Sequence, residues 1–455
     1  MVYYAPERIK QTRMKLRRQA LHTILEEFDR ELMQLSHEKR MNKYIKMAEN
    51  PFRFFRGSAY LFYYDVTRTP FIYHTPPECP TWIQGDLHFE NFGGFRSEAG
   101  DMVYDVNDFD EGYLGSYLYD ILRMSASIVL VAELHGFSDQ EQDEAITTYL
   151  KAYVKQMQRF GQRLEDPSTL QFTEDNTNGP IRKVLRKLKQ RQQNHLLTGI
   201  TSSVEHHRQF VHTDELHPVS PEERVAILKQ WEQYVETIDP ELRQDEACYR
   251  IKDMAVKHGS GTASIGLDRY YLLIEGGETL DAQDDVILEM KEVRAPIPAF
   301  LLPHNESFWE QFLHQGARVI TTQKAMHHEA DAYLGYTSLA DRHFYIRERS
   351  PYKKRVKADR IKHFKGFTKT LHWMGKITAK IHARADADLA HGLLDYHSED
   401  EILKAIGDDV NSFYRRISLW SRTYASQIHE DYDIFCDWLN TFEQEEKPSQ
   451  EGTDA

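Results

Sequence analysis

The spacing of apolar and polar residues predicts helical segments that alternate with strand-rich ones. Residues 6–49 are rich in Lys, Arg, Glu, Leu and Met, which predicts one or two amphipathic helices that end at Asn50-Pro51. A long apolar helix is predicted over 117–134, and another helix over 139–159. Residues 161–245 are polar, and we expect them to be locally helical.

Strand patterns occur in two separate parts of the chain. Residues 80–112 are predicted to form short strands joined by tight loops, and three longer β-type runs follow at 269–275, 286–292 and 343–348. Residues 359–441 are typical of helices. The order of helix, small sheet, helices, second sheet and helices predicts an α+β fold with two lobes.

Composition and charge narrow the classes of function. The 455 residues carry 57 Lys and Arg against 71 Asp and Glu, a net charge of -14, which should repel nucleic acid and anionic membranes. The three cysteines are far apart and form no C-x-x-C pair, which fits a reducing compartment. The first residues lack the apolar core of a signal peptide, so we expect a cytoplasmic protein with neither a nucleic-acid nor a membrane partner. No pattern indicates an oligomeric state.

Two acidic loops flank one predicted hairpin and carry the strongest chemical signal. They are residues 85–91 (GDLHFEN) and 105–111 (DVNDFDE). Phosphoryl transfer needs one carboxylate to orient the acceptor hydroxyl, and an amide oxygen and a second carboxylate to hold magnesium. Asp86 and Asn91 have the D-x-x-x-x-N spacing of such a loop, and Asp108 follows the hairpin. The alternative is an ordinary polar turn, which the aromatic residues interleaved with both loops disfavour.

A second pattern predicts a phosphate-binding loop followed by a strand lysine. Glycines let backbone amides approach phosphates closely, and hydroxyl groups can assist. The residues in question are Gly259, Ser260, Gly261 and Ser264, within KHGSGTASIG. Lys291, flanked by apolar residues in LEMKEV, would pair with the α- and β-phosphates. The alternatives are a common Gly/Ser turn and an edge-strand lysine that reaches water.

At these residues the chain resembles two known groups of proteins. GDLHFENFG and NDFDEG resemble the catalytic and metal loops of the aminoglycoside-phosphotransferase branch of the protein-kinase-like fold. More closely, the sequence resembles an uncharacterised bacterial family, the domain-of-unknown-function 2252 family. The stretches that carry this second resemblance are NPFRFFRGSAY, GDLHFENFG, YDVNDFDEGYLGSYLYDILRMSAS, GSGTASIG, LEMKEV, HFYIRE and GKITAKIHARAD.

The resemblance implies ATP and Mg²⁺ as ligands and a role for each motif residue. Asp86 would be the catalytic base, Asn91 and Asp108 the magnesium ligands, and Lys291 the phosphate-binding lysine. Three further residues are expected to support the site: His88, which could contact phosphate or metal or merely pack the loop, Asp110, and Asp120, which matches a buried aspartate beneath the catalytic loop. A helix glutamate usually pairs with the lysine, and the predicted helix over 306–330 offers Glu310, Gln323 and Glu329.

The order of the motifs differs from that of ordinary kinases, because here the glycine loop and Lys291 come after the acidic motifs. A circular permutation would explain this order. The backbone at Arg347, at the end of HFYIRE, would then lie near adenine. The predicted parts are 1–49 as an N-terminal helical extension, 50–160 as the catalytic part of the large lobe, 161–245 as a helical insertion, 246–350 as a small nucleotide-binding lobe, 351–441 as the remaining large-lobe helices and 442–455 as a disordered acidic tail.

The preferred function is a Mg-ATP-dependent phosphotransferase that acts on a hydroxyl group of a small molecule or protein. Two alternatives use the same fold: transfer of AMP with ATP bound in the opposite direction, and a non-catalytic ATP-binding protein. A metal-dependent phosphoesterase is a further alternative, with Asp86 and His88 among the metal ligands. It is disfavoured because the sequence lacks the G-N-H and late G-H-x-H segments that this class usually needs.

Overall fold

The computed structural model describes residues 6–191, 195–204, 207–259, 265–276, 284–329, 331–389 and 393–442. The chain forms two compact units. The first consists of Met1–Thr69, Ser260–Gly266 and Leu419–Ala455, and the second of Pro70–Gly259 and Leu267–Ser418. None of the helices in the described segments is both long enough and apolar enough to cross a membrane.

The helices and strands of the described residues follow the predicted alternation. The helices are α1 (Pro6–Glu26), α2 (His37–Met47), α3 (Pro51–Gly57), α4 (Ala59–Val66), α5 (Leu118–Leu134), α6 (Asp139–Gly161), α7 (Gly179–Lys189), α8 (His195–Ile200), α9 (Pro221–Thr237), α10 (Glu306–Gln311), α11 (Gln315–Met326), α12 (Phe364–Arg384), α13 (Ser398–Ile406) and α14 (Val410–Phe442). The strands are β1 (Thr81–Ile83), β2 (Phe92–Arg96), β3 (Met102–Val106), β4 (Tyr113–Gly115), β5 (Thr201–Val204), β6 (His207–Phe210), β7 (Leu216–Pro218), β8 (Ile251–Lys257), β9 (Arg269–Ile274), β10 (Val286–Val293), β11 (Gly335–Leu339) and β12 (Arg342–Glu348). The predicted α+β class is confirmed.

The first unit has a helical, aromatic core in its described part. A π-helical turn over Glu27–Leu32 continues α1, and it places Asp29 in the interior. The Lys43 ammonium lies 2.6 Å from Asp29 Oδ1, so the buried carboxylate has a buried cation as partner. The Tyr44 ring meets Phe435 of α14 edge-on, at 5.6 Å between ring centroids.

The aromatic segment that forms α3 and α4 belongs to this first unit, and its residues are part of the segment 50–160 that was predicted as the catalytic part. The physical reason is the packing of its rings on the C-terminal half of α14. Phe54 lies 5.1 Å from Phe435, and Phe62 lies 6.4 Å from Trp420, between ring centroids. Residues 419–441, predicted among the large-lobe helices, therefore also fall in the first unit.

A bundle around α5, α6 and α12 forms the helical part of the second unit. α5 is buried along almost its whole length, as its apolar sequence predicts. α6 and α12 approach each other closely at Gly375, where a Cβ atom would lie 2.3 Å from the carbonyl oxygen of Tyr149. The Tyr149 hydroxyl is 3.1 Å from Thr378 Oγ1, one turn further along α12.

The second unit also contains a six-stranded antiparallel sheet with the order β11-β12-β10-β9-β8-β7. One face of this sheet is apolar and is covered by α9. The core of that face is formed by Ile227, Tyr234, Leu272, Leu288, Met290, Phe344 and Ile346. Because side chains alternate along a strand, Glu289 and Lys291 of β10 lie on the other face.

The predicted strands at 269–275, 286–292 and 343–348 correspond to β9, β10 and β12. The predicted helical insertion, 161–245, is wrong in part, because it contains β5, β6 and β7. β7 is an edge strand of the large sheet, so this sheet begins before residue 246. These strands have three or four residues each, too few to establish a period of two. The predicted tail lies outside the described residues except for Phe442.

The close approach of α6 and α12 provides a stability test. We expect Gly375→Ala to destabilise the second unit by about 1–3 kcal/mol, because the added methyl group overlaps the Tyr149 carbonyl. Gly366→Ala on the same helix is the control, since its Cβ would meet only Pro180 Cγ, at 3.7 Å. It should be neutral or stabilising by up to about 1 kcal/mol. Urea unfolding measures both, and equal effects of the two changes would contradict the packing.

Candidate functional site

The β2–β3 hairpin brings the two acidic loops side by side. Its register pairs Phe92, the first residue of β2, with Val106, the last residue of β3. Asn91, just before β2, therefore lies opposite the residues that follow β3. The Asn107 amide donates to the Asn91 carbonyl at 3.0 Å and closes the end of the ladder. The loops at 85–91 and 107–111 therefore leave the hairpin together.

Within the first loop, Asp86 is nearly buried and is held by several hydrogen bonds. Arg123 of α5 contacts Asp86 Oδ1 with two guanidinium nitrogens, Nε and Nη2, each at 2.5 Å. The Asn91 side-chain amide donates to the Asp86 carbonyl at 2.8 Å, which leaves the amide oxygen directed the other way. One carboxylate and one amide oxygen are thus positioned by the same loop.

Asp120 lies beneath this loop in the first turn of α5 and is fully buried. Its two carboxylate oxygens accept hydrogen bonds from the backbone amides of Gln84 and Gly85, at 2.7 and 3.0 Å. His382 of α12 also contacts it, with Nε2 3.1 Å from Oδ2. This is the position that the resemblance implied for a residue that supports the loop.

Gly85 is required by this geometry for two reasons. Its φ of +87° is a left-handed conformation that favours glycine. A Cβ atom would lie 2.0 Å from the carbonyl oxygen of Glu111, so the backbones of the two acidic loops are in direct contact here.

The second loop reaches the face of the large sheet that lies opposite α9. Lys291 of β10 forms an ion pair with Asp110, although 181 residues separate the two in sequence. Burial opposes the charge on Lys291, but Asp110, Tyr345 and Asp108 together hold the pKa of Lys291 above its usual value. Burial likewise opposes the charge on Asp110, and Lys291 nevertheless holds its pKa below the usual range. Both groups therefore carry their charges in the folded protein.

A cavity of 320 Å³ lies between the hairpin, α11 and the end of β12. Its charged lining includes Glu289, Arg347 and Lys353. Arg347 donates to Glu289 Oε2 through Nε and a terminal nitrogen, at 3.0 and 2.9 Å. Burial opposes ionisation of Glu289, but Arg347 and Arg269 hold its pKa well below the usual range. Arg347 in turn lowers the pKa of Lys353.

The helix that was expected to supply a glutamate supplies an arginine instead. Arg318 of α11 is fully buried, and it donates to the carbonyl oxygens of Asp110 at 2.7 Å and Gly112 at 2.9 Å. Of the three predicted partners for Lys291, Gln323 lines the cavity, and neither Glu310 nor Glu329 pairs with Lys291 among the described contacts. The carboxylate partner of the lysine comes from the acidic loop, because α11 presents a cation there.

His88 has a packing role in the described structure. Its ring is buried, and Nδ1 accepts a hydrogen bond from the Glu90 amide at 3.2 Å. Nε2 lies 3.8 Å from Asp86 Oδ2. Of the two possibilities left open by the sequence, these contacts favour loop packing.

The predicted glycine loop is described only at its ends. Gly259 follows β8 with a φ of +79°, and no atom lies within 4 Å of where its Cβ would be. Ser260, Gly261 and Ser264 lie outside the described residues. Gly266, at the far end of the loop, belongs to the first unit. It packs closely against Leu35, because a Cβ atom on Gly266 would lie 2.1 Å from Leu35 Cδ2.

A further buried ion pair attaches α12 to the hairpin. Lys380 Nζ lies 2.5 Å from Asp105 Oδ2 and 2.6 Å from the Met326 carbonyl oxygen. The nearby His327 ring stacks on Phe95 at 4.8 Å between centroids, and its Nε2 lies 2.8 Å from the carbonyl oxygen of Val106. The position of β3 is therefore set by helices that come more than two hundred residues later in the chain.

Sequence reasoning missed Arg123 and Arg318. A signal for Arg123 exists, because Asp120 and Arg123 are three residues apart and so share one face of a predicted helix. No pattern indicates Arg318, since a single arginine in a helix is ordinarily exposed.

Comparison with known proteins identifies a family but no characterised relative. A family model described as "Uncharacterized protein conserved in bacteria (DUF2252)" matches residues 36–438. No curated protein and no solved structure matches the chain. Fold and function are separable, so the function has to follow from the chemistry of the site itself.

The environment of Glu111 predicts a pH dependence. Burial, with smaller contributions from Asp86 and Asp110, raises its pKa to about 8, although the Ile297 amide donates to Glu111 Oε2. In the unfolded chain, Glu111 loses its proton near the ordinary pKa of 4.5, whereas in the folded protein it keeps the proton up to about pH 8. The free energy of unfolding therefore decreases as pH rises from 4.5 to about 8, by at most about 1.4 kcal/mol per pH unit. Glu111→Gln should remove this contribution.

The measurement is urea unfolding of the wild type and Glu111→Gln between about pH 5 and pH 8. Glu223→Gln is the control. Burial opposes ionisation of Glu223, but hydrogen bonds from Tyr270 and Ser220 lower its pKa. Its contribution to the free energy of unfolding is therefore constant at every pH above the pKa of the unfolded chain. Parallel pH profiles for the wild type and Glu111→Gln would contradict the buried, protonated state of Glu111.

Proposed function

We propose that this chain, which belongs to the DUF2252 family of bacterial proteins, is a Mg-ATP-dependent phosphotransferase with a kinase-like, circularly permuted arrangement. The observation that carries the proposal is the ion pair between Lys291 and Asp110. It places a strand lysine beside the acidic loop that contains Asp108, although the lysine comes much later in the chain. In a kinase-like site, the phosphate-binding lysine has to lie close to the loop that holds the metal ion.

The residues present fit a magnesium ion. Hard cations prefer carboxylate and amide oxygens. Asn91 has its amide nitrogen engaged by the Asp86 carbonyl, so its oxygen is the free end of the side chain. Asp108 is half-buried on the opposite loop, and its backbone oxygen is fixed by Gln84 Nε2 at 2.7 Å. Asn91 and Asp108 would hold the ion.

Magnesium and ATP, when bound, would supply the transferable phosphoryl group and the charge that shields its oxygens. Asp86 would orient the acceptor hydroxyl and receive its proton. Arg123 binds one oxygen of this carboxylate, Oδ1, and thereby fixes its orientation. Because phosphoryl transfer depends mainly on positioning, a carboxylate of fixed orientation suits this role.

Lys291 would bind the phosphate oxygens from the sheet side. The backbone at Arg347, on the neighbouring strand β12, would lie near adenine; the register pairs Lys291 with Tyr345 and Glu289 with Arg347. Arg318 would act as a positioning residue: it touches no predicted ligand atom, but it holds the backbone of the loop that carries Asp110.

The permuted arrangement is supported by contacts between segments that the motif order separates. Lys380, in the segment 351–441, pairs with Asp105 of the acidic hairpin, and His382 contacts Asp120. Lys291, in the segment 246–350, pairs with Asp110. These segments would correspond to the remaining large-lobe helices and the small lobe of a kinase.

AMP transfer is the second candidate, and one observation favours it. Arg347, Arg349 and Lys353 line the cavity at the end of β12, where a kinase would bind the uncharged adenine. These basic side chains suit phosphate groups better than a base, although acidic residues, among them Glu289 and Glu348, line the same cavity. ATP bound in the opposite direction would place its γ-phosphate there and expose its α-phosphate to Asp86.

Ligand-induced stabilisation tests the nucleotide site. With magnesium and ATP at about 100 times the dissociation constant, we expect about 2.7 kcal/mol of added stability in thermal unfolding. Asp108→Asn should lose the part that depends on magnesium, and Lys291→Met should lose most of the total. Lys252→Met is the matched strand-lysine control, because Lys252 of β8 pairs with Glu275 and Asp285 and not with the acidic loops.

Lys291→Met leaves Asp110 without its partner and could destabilise the fold by itself. The double variant Lys291→Met/Asp110→Asn removes both charges and should recover that stability without recovering the response to ATP. A full magnesium-dependent shift in Asp108→Asn, or in Lys291→Met, would refute the assignment.

The products of ATP turnover distinguish the two candidate reactions without knowledge of the acceptor. Phosphoryl transfer, including transfer to water, releases ADP, whereas AMP transfer releases pyrophosphate. We expect ADP, and we expect Asp86→Asn to lower its rate by about 10²–10⁴-fold. Pyrophosphate as the main product would select AMP transfer, and a rate unchanged in Asp86→Asn would exclude Asp86 as the catalytic residue.

A further inference from the structure

A second cluster of ligand-type side chains lies between the end of α12 and the start of α13. Asp386, His397 and Glu399 each offer one ligand atom, and these atoms all lie within 4.8 Å of one another. Asp386 is fully buried, Glu399 is 1% exposed and His397 is half-buried. None of the three belongs to the acidic hairpin or to the cavity described above.

Hydrogen bonds fix the carboxylate of Asp386. Its Oδ1 accepts from the Asp388 amide at 3.0 Å, and its Oδ2 accepts from the Ser398 amide at 2.7 Å. Each oxygen keeps a lone pair after these bonds. The side chain is therefore oriented by the backbone at both ends of the segment, and it can still accept a further partner.

Three buried atoms on consecutive residues lack a hydrogen-bond partner in this described part of the chain. They are His397 Nδ1, Ser398 Oγ and Glu399 Oε2. Arg163 binds the other Glu399 oxygen, Oε1, and leaves Oε2 unmatched. Buried polar atoms are ordinarily partnered, and an unexplained group of them indicates a missing water or ion.

The charges in this cluster are also unbalanced. Arg163 is the cation that contacts it, and it is shared between Glu399 and Asp400. Two buried carboxylates and one shared arginine leave negative charge that a divalent cation would neutralise.

We propose that Asp386, His397 and Glu399 form a structural site for a divalent transition-metal ion of the zinc class, separate from the magnesium site. One imidazole nitrogen and two carboxylate oxygens are a ligand set that zinc accepts. In a tetrahedral zinc site the ligand atoms lie about 3.4 Å apart, so small side-chain rotations would close the present spacing. The ion would link Asp386, just after α12, to His397 and Glu399 at the start of α13.

The test is calorimetric titration of ZnCl₂ into the chelator-stripped, full-length chain. We expect one zinc ion per chain in the wild type, and an affinity at least tenfold lower in His397→Gln and in Asp386→Asn. His304→Gln, at an exposed histidine beside Glu306, is the control and should bind zinc like the wild type. Asp108→Asn should also bind like the wild type, because it alters only the magnesium site.

Several outcomes would overturn the proposal. One is the absence of stoichiometric zinc binding in the wild type, and another is equal affinity in the wild type and His397→Gln. Should Asp386→Asn fail to fold, His397→Gln decides, because its side chain is 40% exposed and its circular dichroism can be checked against the wild type. Cobalt(II) as the probe identifies the ligands: thiolate charge-transfer bands would assign the ion to a cysteine and exclude this site.

Discussion

The ion pair between Lys291 and Asp110 is the interaction on which the candidate site depends. Both side chains are largely buried, and a buried charge persists only when a partner compensates it. The pair holds the second acidic loop against the face of the large sheet that lies opposite α9. Arg318 anchors the backbone of the same loop from α11, so the loop is fixed by its side chain and by its carbonyl groups. The position of Asp108 follows from these contacts.

The other half of the site is organised by a second buried carboxylate. Asp120 accepts two backbone amides of the first acidic loop, and Arg123, one helical turn further on, binds Asp86. α5 thus supplies both a support for the loop and the cation that orients its carboxylate. Gly85 allows the two loops to touch, because any side chain there would overlap the Glu111 carbonyl. Buried hydrogen bonds therefore hold the helical side of the site in place.

Local patterns and tertiary contacts contributed differently to this picture. The strands β9, β10 and β12 were predictable because they are six to eight residues long and contain clusters of apolar and aromatic residues. The strands within 161–245 were not, since a three-residue edge strand has no period to detect. Arg123 could have been found from its spacing to Asp120, whereas the burial of Arg318 depends on the loop that packs over it. The packing of the aromatic segment of α3 and α4 on α14 could not be predicted, because apolar composition does not identify which partner buries a segment.

The sequence by itself determined the α+β class, the family, and the two acidic motifs with the spacing that suits a catalytic loop. These properties are local: they depend on hydrophobic period, turn residues and short spacings, which a single segment carries within itself. Only the tertiary structure decided that Lys291 meets Asp110, that α11 contributes an arginine in place of a glutamate, and that Asp386, His397 and Glu399 converge. Such contacts join residues that are far apart in the chain or oriented by surrounding packing. They depend on strand register and helix placement, which no local pattern encodes.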